Sequence, residues 1–450
     1  LRAPSGGAGG GGTPRREPPH RAAANRRLAS PPRGLRFDSD PRGRLKASIY
    51  SLPSSFFDAA TAARFLSAVR ALDPRREILV LADPPMAGAL APQAKTARLR
   101  LLVTSGRRYS PWPRDPFSLV HTPKGRLVAL ARPNLQPGRE DDSHLAEELV
   151  RLLPADLDRR WGGKSGVAWA IAATPFHNGQ VLLTGDAAWV TIHALEPRIL
   201  ALLGLARVPV ETFGTAEGIA RYLDAAHRAA AELGELYGRP VRFVHPLPET
   251  GPLEERVALL RRLGGAAGYD LDSILTFVPA PAGGLAALVA DAGLGRLVLD
   301  AAPDADLDAL RAGFDLAPRG AALRAALAAA QREPATRALG DFLDLAAAHL
   351  AQQGFAVRRL PLLSVPVALL RDYAGLTHRE LLLTWNNVVV EERDGKPRAE
   401  GFSYLFPTGD AAARHAFAVL GVHLDLLPPL VHSIVLNGGY RCASNHLRAR

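Results

Sequence analysis

The chain has 450 residues, 47% of them hydrophobic and 22% charged, a globular composition that excludes a wholly disordered chain and fits one large domain or two to three average ones. It contains no run of about 18 apolar residues, which excludes a membrane-spanning helix, and its single cysteine, Cys442, excludes an intrachain disulfide and a cysteine-built zinc or iron-sulfur site. The formal charge of +11 suggests a polyanionic partner until it is located: residues 1–46 hold eleven Lys/Arg against three Asp/Glu, and the rest of the chain holds 44 against 41.

Residues 1–44 open with the glycine run GGAGGGG and continue in Pro, Arg and Ala, too little apolar area to offset the entropy of ordering them. They read as a disordered basic tail. The arginines either touch polyanions loosely or are a solvated extension, and the second reading carries more weight, so nucleic acid is not the expected partner. The tail has no apolar core of a secretory signal, and the cytoplasm is the expected location. The chain starts at Leu1 rather than Met, so its start reads as truncated or miscalled.

Residues 45–450 read as one α/β domain, because short apolar runs alternate with helical patterns and no linker divides them. Strands are expected at EILVLAD from Glu77, RLRLLVT from Arg98, RLVALA from Arg126 and QVLLTG from Gln180. Further strands are RPVRFVHPL from Arg239, SILTFVP from Ser273, RLVLD from Arg296, ELLLTWNNVVVE from Glu380 and HSIVLNGG from His432. Helices are expected over Asp142 to Leu153, Glu217 to Leu236, Pro252 to Leu263, Asp304 to Gln353 with breaks at Pro318 and Pro334, and Asp410 to Leu420. No repeat is visible in the sequence.

Two tempting motifs fail. WGGKSG at Trp161 lacks the first glycine of a phosphate loop, that position being Asp158. His415, His423 and His432 are separated by eight and nine residues with Pro428 and Pro429 between the last two, so no single helix presents all three. More informative are SPWPRDPF (Ser110 to Phe117), GYDLDSILTFVPAP (Gly268 to Pro281) and NGGYRCASN (Asn437 to Asn445), each placing reactive groups beside a turn at a strand end. Prolines stiffen the loop carrying Trp112 and Asp115. Asp270 and Asp272 point the same way if a strand begins there. Singly, each has a plain reading: Cys442 as a small buried hydrophobe, Asp270 and Asp272 as turn caps, Asp115 as the partner of an arginine such as Arg108. Gathered in one cleft they suit a planar cation, with carboxylates flanking a guanidinium and a thiolate attacking its central carbon.

GYDLDSILTFVPAP resembles the protein-arginine deiminase segment in which Gly-His-x-Asp leads into a strand ending FVPAP. NGGYRCASNHLR is similar to that family's Gly-x-x-His-Cys-Gly-Thr-Asn-x-Arg, and PWPRDPF to its Trp-then-Asp motif. FHNGQVLLTGD at Phe176 resembles its Phe-Gly-Asn-x-Glu turn. The resemblance spans residues 45–450 and implies the five-bladed α/β propeller of the guanidino-modifying (pentein-type) enzymes. It implies further that Cys442 is the nucleophile, that Asp115 and Asp272 clamp the guanidinium of an arginine-containing protein or peptide, that Trp112 packs on it and that Arg132 contacts its backbone. Asp270 stands where the family carries its catalytic histidine and Arg441 where it carries the histidine before the cysteine. Asp270 is then the candidate acid/base, with His177 as a substitute donor. The family's calcium is implied too, but Ser118 and Gln180 stand at its acidic positions and argue against calcium dependence. The alternatives are a guanidinium-binding protein that has lost the chemistry, and an agmatine or free-arginine deiminase, whose family shares Trp-x-Arg-Asp.

Overall fold

The run Glu77–Ala82 is buried at all of its positions, as expected of a strand paired on both edges and covered on both faces. In the structure, a computed structural model that describes residues 26–95, 98–133, 139–172, 178–208, 210–371 and 378–449, this run pairs in parallel with strands on either side. One face is covered by the helix Ala59–Leu72, which buries Ala62, Phe65, Leu66 and Val69 at helical spacing and is capped by Asp58. These side chains meet Tyr50, Ile78 and Val80 in the largest of three apolar clusters.

The described strands form five separate sheets. The first holds β1 (Leu45–Ser51), β2 (Glu77–Ala82) and β3 (Leu99–Val103); the second β4 (Phe117–His121), β5 (Leu127–Ala131) and β6 (Ala168–Ile171); the third β7 (Val181–Leu183), β8 (Ala188–Val190) and β9 (Val241–Phe243). The fourth holds β10 (Leu275–Pro279), β11 (Leu285–Asp291), β12 (Ala356–Pro366) and β13 (Glu380–Thr384), and the fifth β14 (Val389–Arg393), β15 (Lys396–Phe402) and β16 (His423–Leu427). The last strand, β17 (Ser444–Arg448), returns to pair antiparallel with β1. Every sheet has the same core: an antiparallel pair followed by a parallel one, β4-β5-β6, β7-β8-β9, β10-β11-β12, β14-β15-β16 and β17-β1-β2. The chain is thus repetitive in topology though not in sequence.

Four expectations are corrected. RLVLD lies in the helix Ala292–Ala301, which Asp291 caps and which buries Gly295, Val298 and Leu299; its apolar residues fit a 3.6 period as well as a strand. HSIVL is the short helix Val431–Val435, ended by Asn437 at φ 64°. ELLLTWNNVVVE is two strands in different sheets, broken at Trp385–Asn387. Asp270 and Asp272 precede β10 in a 3-10 turn over Leu271–Ser273, so strand alternation does not orient them.

The tail is corrected in part. Residues 26–44 lie against the body: Arg36 bridges His121, Leu35 and Phe37 are buried, and Phe37 meets Tyr237 edge-on at 4.5 Å. Among the described residues no helix is long and apolar enough to cross a membrane. His177 lies outside the described residues.

Candidate active site

The Ser110–Phe117 loop is fixed from below by Asp142, a buried carboxylate that accepts the backbone N–H of Ser110 (2.8 Å), its hydroxyl (2.7 Å) and Nε of Arg139 (2.8 Å). Arg139 then reaches across with Nη1 to Oδ2 of Asp115 at 2.8 Å, its guanidinium 4.9 Å from the Trp112 ring, a favourable cation-π placement. The partner of Asp115 is therefore Arg139; the backbone N–H of Arg108 goes to Asp141 instead. Asp115 is buried, and its Oδ1 has no hydrogen-bond partner among the described residues.

Cys442 is placed by two glycines. A Cβ on Gly438 would lie 1.8 Å from Nε1 of Trp112, and one on Gly439 2.5 Å from the Asn387 side chain. Only bare backbone lets the segment pass between them. Trp112 Nε1 donates to Ser433 Oγ (2.9 Å), which donates to the Gly438 carbonyl (2.9 Å). Asn387, at the break between β13 and β14, is the hub beneath the thiol. Its Oδ1 accepts the N–H groups of Arg441 (2.7 Å) and Cys442 (3.3 Å), while its Nδ2 donates to Asp272 Oδ1 (3.0 Å) and Cys442 Sγ (3.3 Å). Asn445 ties the motifs together by donating to the carbonyls of Pro113 and Phe117.

The thiol opens into a cavity of about 300 Å³ lined by Trp112, Asp115, Arg139, Asp270, Asn387 and other residues. Asp270 is half-buried there and accepts from Gln180 Nε2 at 3.1 Å. Ser118 donates to Asn178. Asp272 is fully buried and absent from the cavity wall; its Oδ2 receives Nη1 of Arg441 at 2.7 Å. Carboxylate oxygens of Asp270 and Asp272 and the sulfur of Cys442 all lie within 4.8 Å of one another. Both Asp272 oxygens already hold donors and a guanidinium sits against them, so this group does not offer an open ligand set for a metal ion.

Burial comes first in raising the Cys442 thiol well above its ordinary value, and the charges of Asp272, Asp115 and Asp270 push the same way. Both effects favour the S–H form over the thiolate. Burial also raises Asp272 to about 7, with Arg441 opposing and Asp270 assisting; the cost of desolvating the carboxylate outweighs its ion pair. Arg132 follows β5 outside the cavity wall, with Nη1 lacking a hydrogen-bond partner among the described residues. It interacts electrostatically with Asp115 and Asp270.

The structure thus brings Cys442, Asp115, Asp270 and Trp112 to one cavity, sets Asp272 just behind it and leaves Arg132 beside it. Sequence reasoning missed Asn387, Arg139 and the pairing of Arg441. The asparagine pair interrupting an apolar run was the one available signal for the first; the other two arise from contacts between distant segments.

No family model and no curated protein matches the chain. Solved structures do match its fold. A C. jejuni agmatine deiminase aligns over 92% of this chain and 96% of its own, with TM-score 0.53 and 12% identity. The agmatine deiminase of Enterococcus faecalis aligns over 94% and 100%, with TM-score 0.54 and 11% identity. A protein described provisionally as a peptidyl-arginine deiminase aligns over 92% and 99%, with TM-score 0.53 and 11% identity. The chain shares the mixed α/β fold of these three structures.

Proposed function

We propose that the protein is a cysteine hydrolase of guanidinium groups, converting arginine in a protein or peptide to citrulline with release of ammonia. The observation that carries this reading is that Cys442 and Asp115 line one cavity, with Asp115 Oδ1 buried and without a donor among the described residues. An unpaired buried acceptor beside a nucleophile calls for a ligand that brings N–H groups. The five sheets of like topology are read as the blades of a propeller with the cavity on its axis, and the free thiol suits the reducing cytoplasm.

In this mechanism Arg139 holds Oδ2 of Asp115 and leaves Oδ1 for the substrate guanidinium, which stacks near Trp112 and meets Asp270 on its other side. The arriving cation lowers the pKa of the thiol. Asp270 takes the sulfur's proton, the thiolate forms a C–S bond to the guanidinium carbon, and Asp270 returns the proton to the departing nitrogen, which leaves as ammonia. Asp270 then takes a proton from water as the water adds to the thiouronium carbon; the C–S bond breaks with its electron pair on sulfur, Asp270 returns its proton to the thiolate, and the urea product leaves after passing its excess proton to ammonia or solvent. Asp272, already paired with Arg441, acts from behind the thiol rather than as a second clamp.

A second reading, a guanidinium-binding protein without turnover, is favoured by the arginines already seated on Asp115 and Asp272. A third, agmatine or free arginine as substrate, is supported by the fold neighbours. Incubation of the pure protein with an arginine peptide, free arginine and agmatine, with and without calcium, separates them by ureido product and ammonia. Product from none of the three overturns the hydrolase reading.

A further inference from the structure

The cation behind the catalytic thiol is held by a residue from outside the first strand. Asp40, in the segment before β1, receives Nη2 of Arg441 on Oδ2 at 2.8 Å, Nη2 of Arg114 on Oδ1 at 3.0 Å and the N–H of Leu183 on Oδ2 at 2.8 Å. Arg441 extends the chain of charges through Nη1 to Asp272, and Asn387 joins Asp272 to Cys442. The Arg441 side chain is only 4% exposed, so neither pair is much screened by solvent. We propose that Asp40 is a positioning residue of the active site, which by sharing Arg441 with Asp272 sets the protonation of the carboxylate behind the cavity and of the thiol that opens into it. The proposal rests on the reading of Cys442 as the nucleophile.

The physical basis is competition for one cation. Paired with Asp272 alone, Arg441 would ionise that carboxylate at lower pH; over the higher range where the thiol titrates Asp272 is an anion either way, and there the less divided cation favours the thiolate. Asp40 draws off part of the guanidinium's field through the opposite edge of the fork. It is itself held to about 2 by Arg441, Arg114 and the Leu183 N–H against the cost of burial, so it remains an anion across the working range. Among the described residues, the other charged groups with the largest effects on Asp272 and Cys442 are Arg114, Asp270 and Asp115. Arg114 is bonded to Asp40 as well, so loss of the Asp40 charge strengthens both cations together.

The test reads the rate of Cys442 alkylation by iodoacetamide against pH, by intact mass on the full chain. The chain's single cysteine makes the signal unambiguous. Asp40→Asn should move the midpoint down by about one pH unit and Arg441→Gln should move it up by about as much, since opposite charges are being removed. Opposite displacements are what a merely structural role would not give. Each variant carries the test alone if the other does not fold. A midpoint within about 0.2 pH units of the parent in either folded variant, or displacement of both in one direction, overturns the proposal. Failure of the hydrolase reading looks different: the midpoints move as described while no ureido product forms from any guanidino compound.

Discussion

Replacing Asn387 with Asp tests the site with the smallest change of shape. The new side chain keeps the acceptor for the N–H groups of Arg441 and Cys442 but turns the donor facing Cys442 Sγ at 3.3 Å and Asp272 Oδ1 at 3.0 Å into an acceptor. Loss of a hydrogen bond to the ionised sulfur costs about 1.5 to 3 kcal/mol, or roughly ten- to a hundredfold in thiolate at fixed pH. A second anion at that distance adds at most about 5 kcal/mol at an effective dielectric of 20. Sharing of a proton between the two close carboxylates reduces this, because they resist simultaneous ionisation. Alkylation of Cys442 at pH 8 should therefore slow by at least about tenfold, with a larger effect than in Asn387→Leu, which removes the donor without adding charge. The assay is the second-order rate by intact mass, with the melting temperature as control. An Asn387→Asp protein that melts like the parent and alkylates as fast would refute the account of Asn387 as the thiol's polar support.

Cys442 should react faster with 2-chloroacetamidine than with neutral 2-chloroacetamide, because Asp115 and Asp270 line its cavity, and Asp115→Asn with Asp270→Asn should erase the preference; equal rates in the parent count against a cation site. Gly438→Ala should cost about 1 to 3 kcal/mol through overpacking, since its Cβ falls 1.8 Å from Trp112 Nε1; unchanged melting and tryptophan fluorescence would contradict this. Stability should also fall in mild acid through His245, which is buried, accepts the Ile192 N–H on Nε2 and donates from Nδ1 to the Pro246 carbonyl. Burial lowers it from 6.5 to about 4, so its contribution is fully present above pH 6.5 and is lost toward pH 4, worth roughly 3 kcal/mol. Urea midpoints of parent and His245→Asn that decline in parallel from pH 7 to 4.5 would exclude that origin.

The alternation of short apolar runs with helical patterns was enough to place the domain in the α/β class, and three turn-bound motifs marked the cavity. What sequence could not supply was context. RLVLD and HSIVL carry β-branched residues in runs short enough to fit either period, and their neighbours decided for helix: Asp291 caps one, and Gly295 lies so close to the backbone of β12 that a Cβ would meet the Leu362 carbonyl at 1.8 Å. Residues 26–44 looked too polar to order, yet Leu35 and Phe37 reach apolar pockets formed by residues far along the chain. The same limit applies to the site. The resemblance implied that Asp272 clamps the ligand, and the two-residue spacing put it on the same side as Asp270 if a strand began there, but a 3-10 turn leaves Asp270 on the cavity wall and Asp272 behind it.

Asp270 and Arg441 make one electrostatic unit around Asp272, and this decides how the chemistry should respond to change. The resemblance puts a histidine at each position. An added carboxylate at 270 raises the cost of ionising Asp272, whereas an arginine at 441 lowers it, and the two act on Asp272 in opposite directions. Asp270→His alone would leave the Arg441 cation uncompensated by that carboxylate and hold the new imidazole neutral, fit to accept the thiol's proton but slow to protonate a leaving amine. Asp270→His combined with Arg441→His removes the fixed cation and should give the faster hydrolysis of the two. Asp270→Asn, which keeps the shape and loses the proton carrier, should reduce kcat by about 10²- to 10⁴-fold, the usual cost of a missing acid/base group, and change KM by much less. These are read as ammonia and ureido product from an arginine peptide across pH 6 to 9. Turnover indifferent to Asp270→Asn would take the proton transfers away from this residue and leave Asp272, with a carboxylate oxygen within 4.8 Å of the sulfur, to test next.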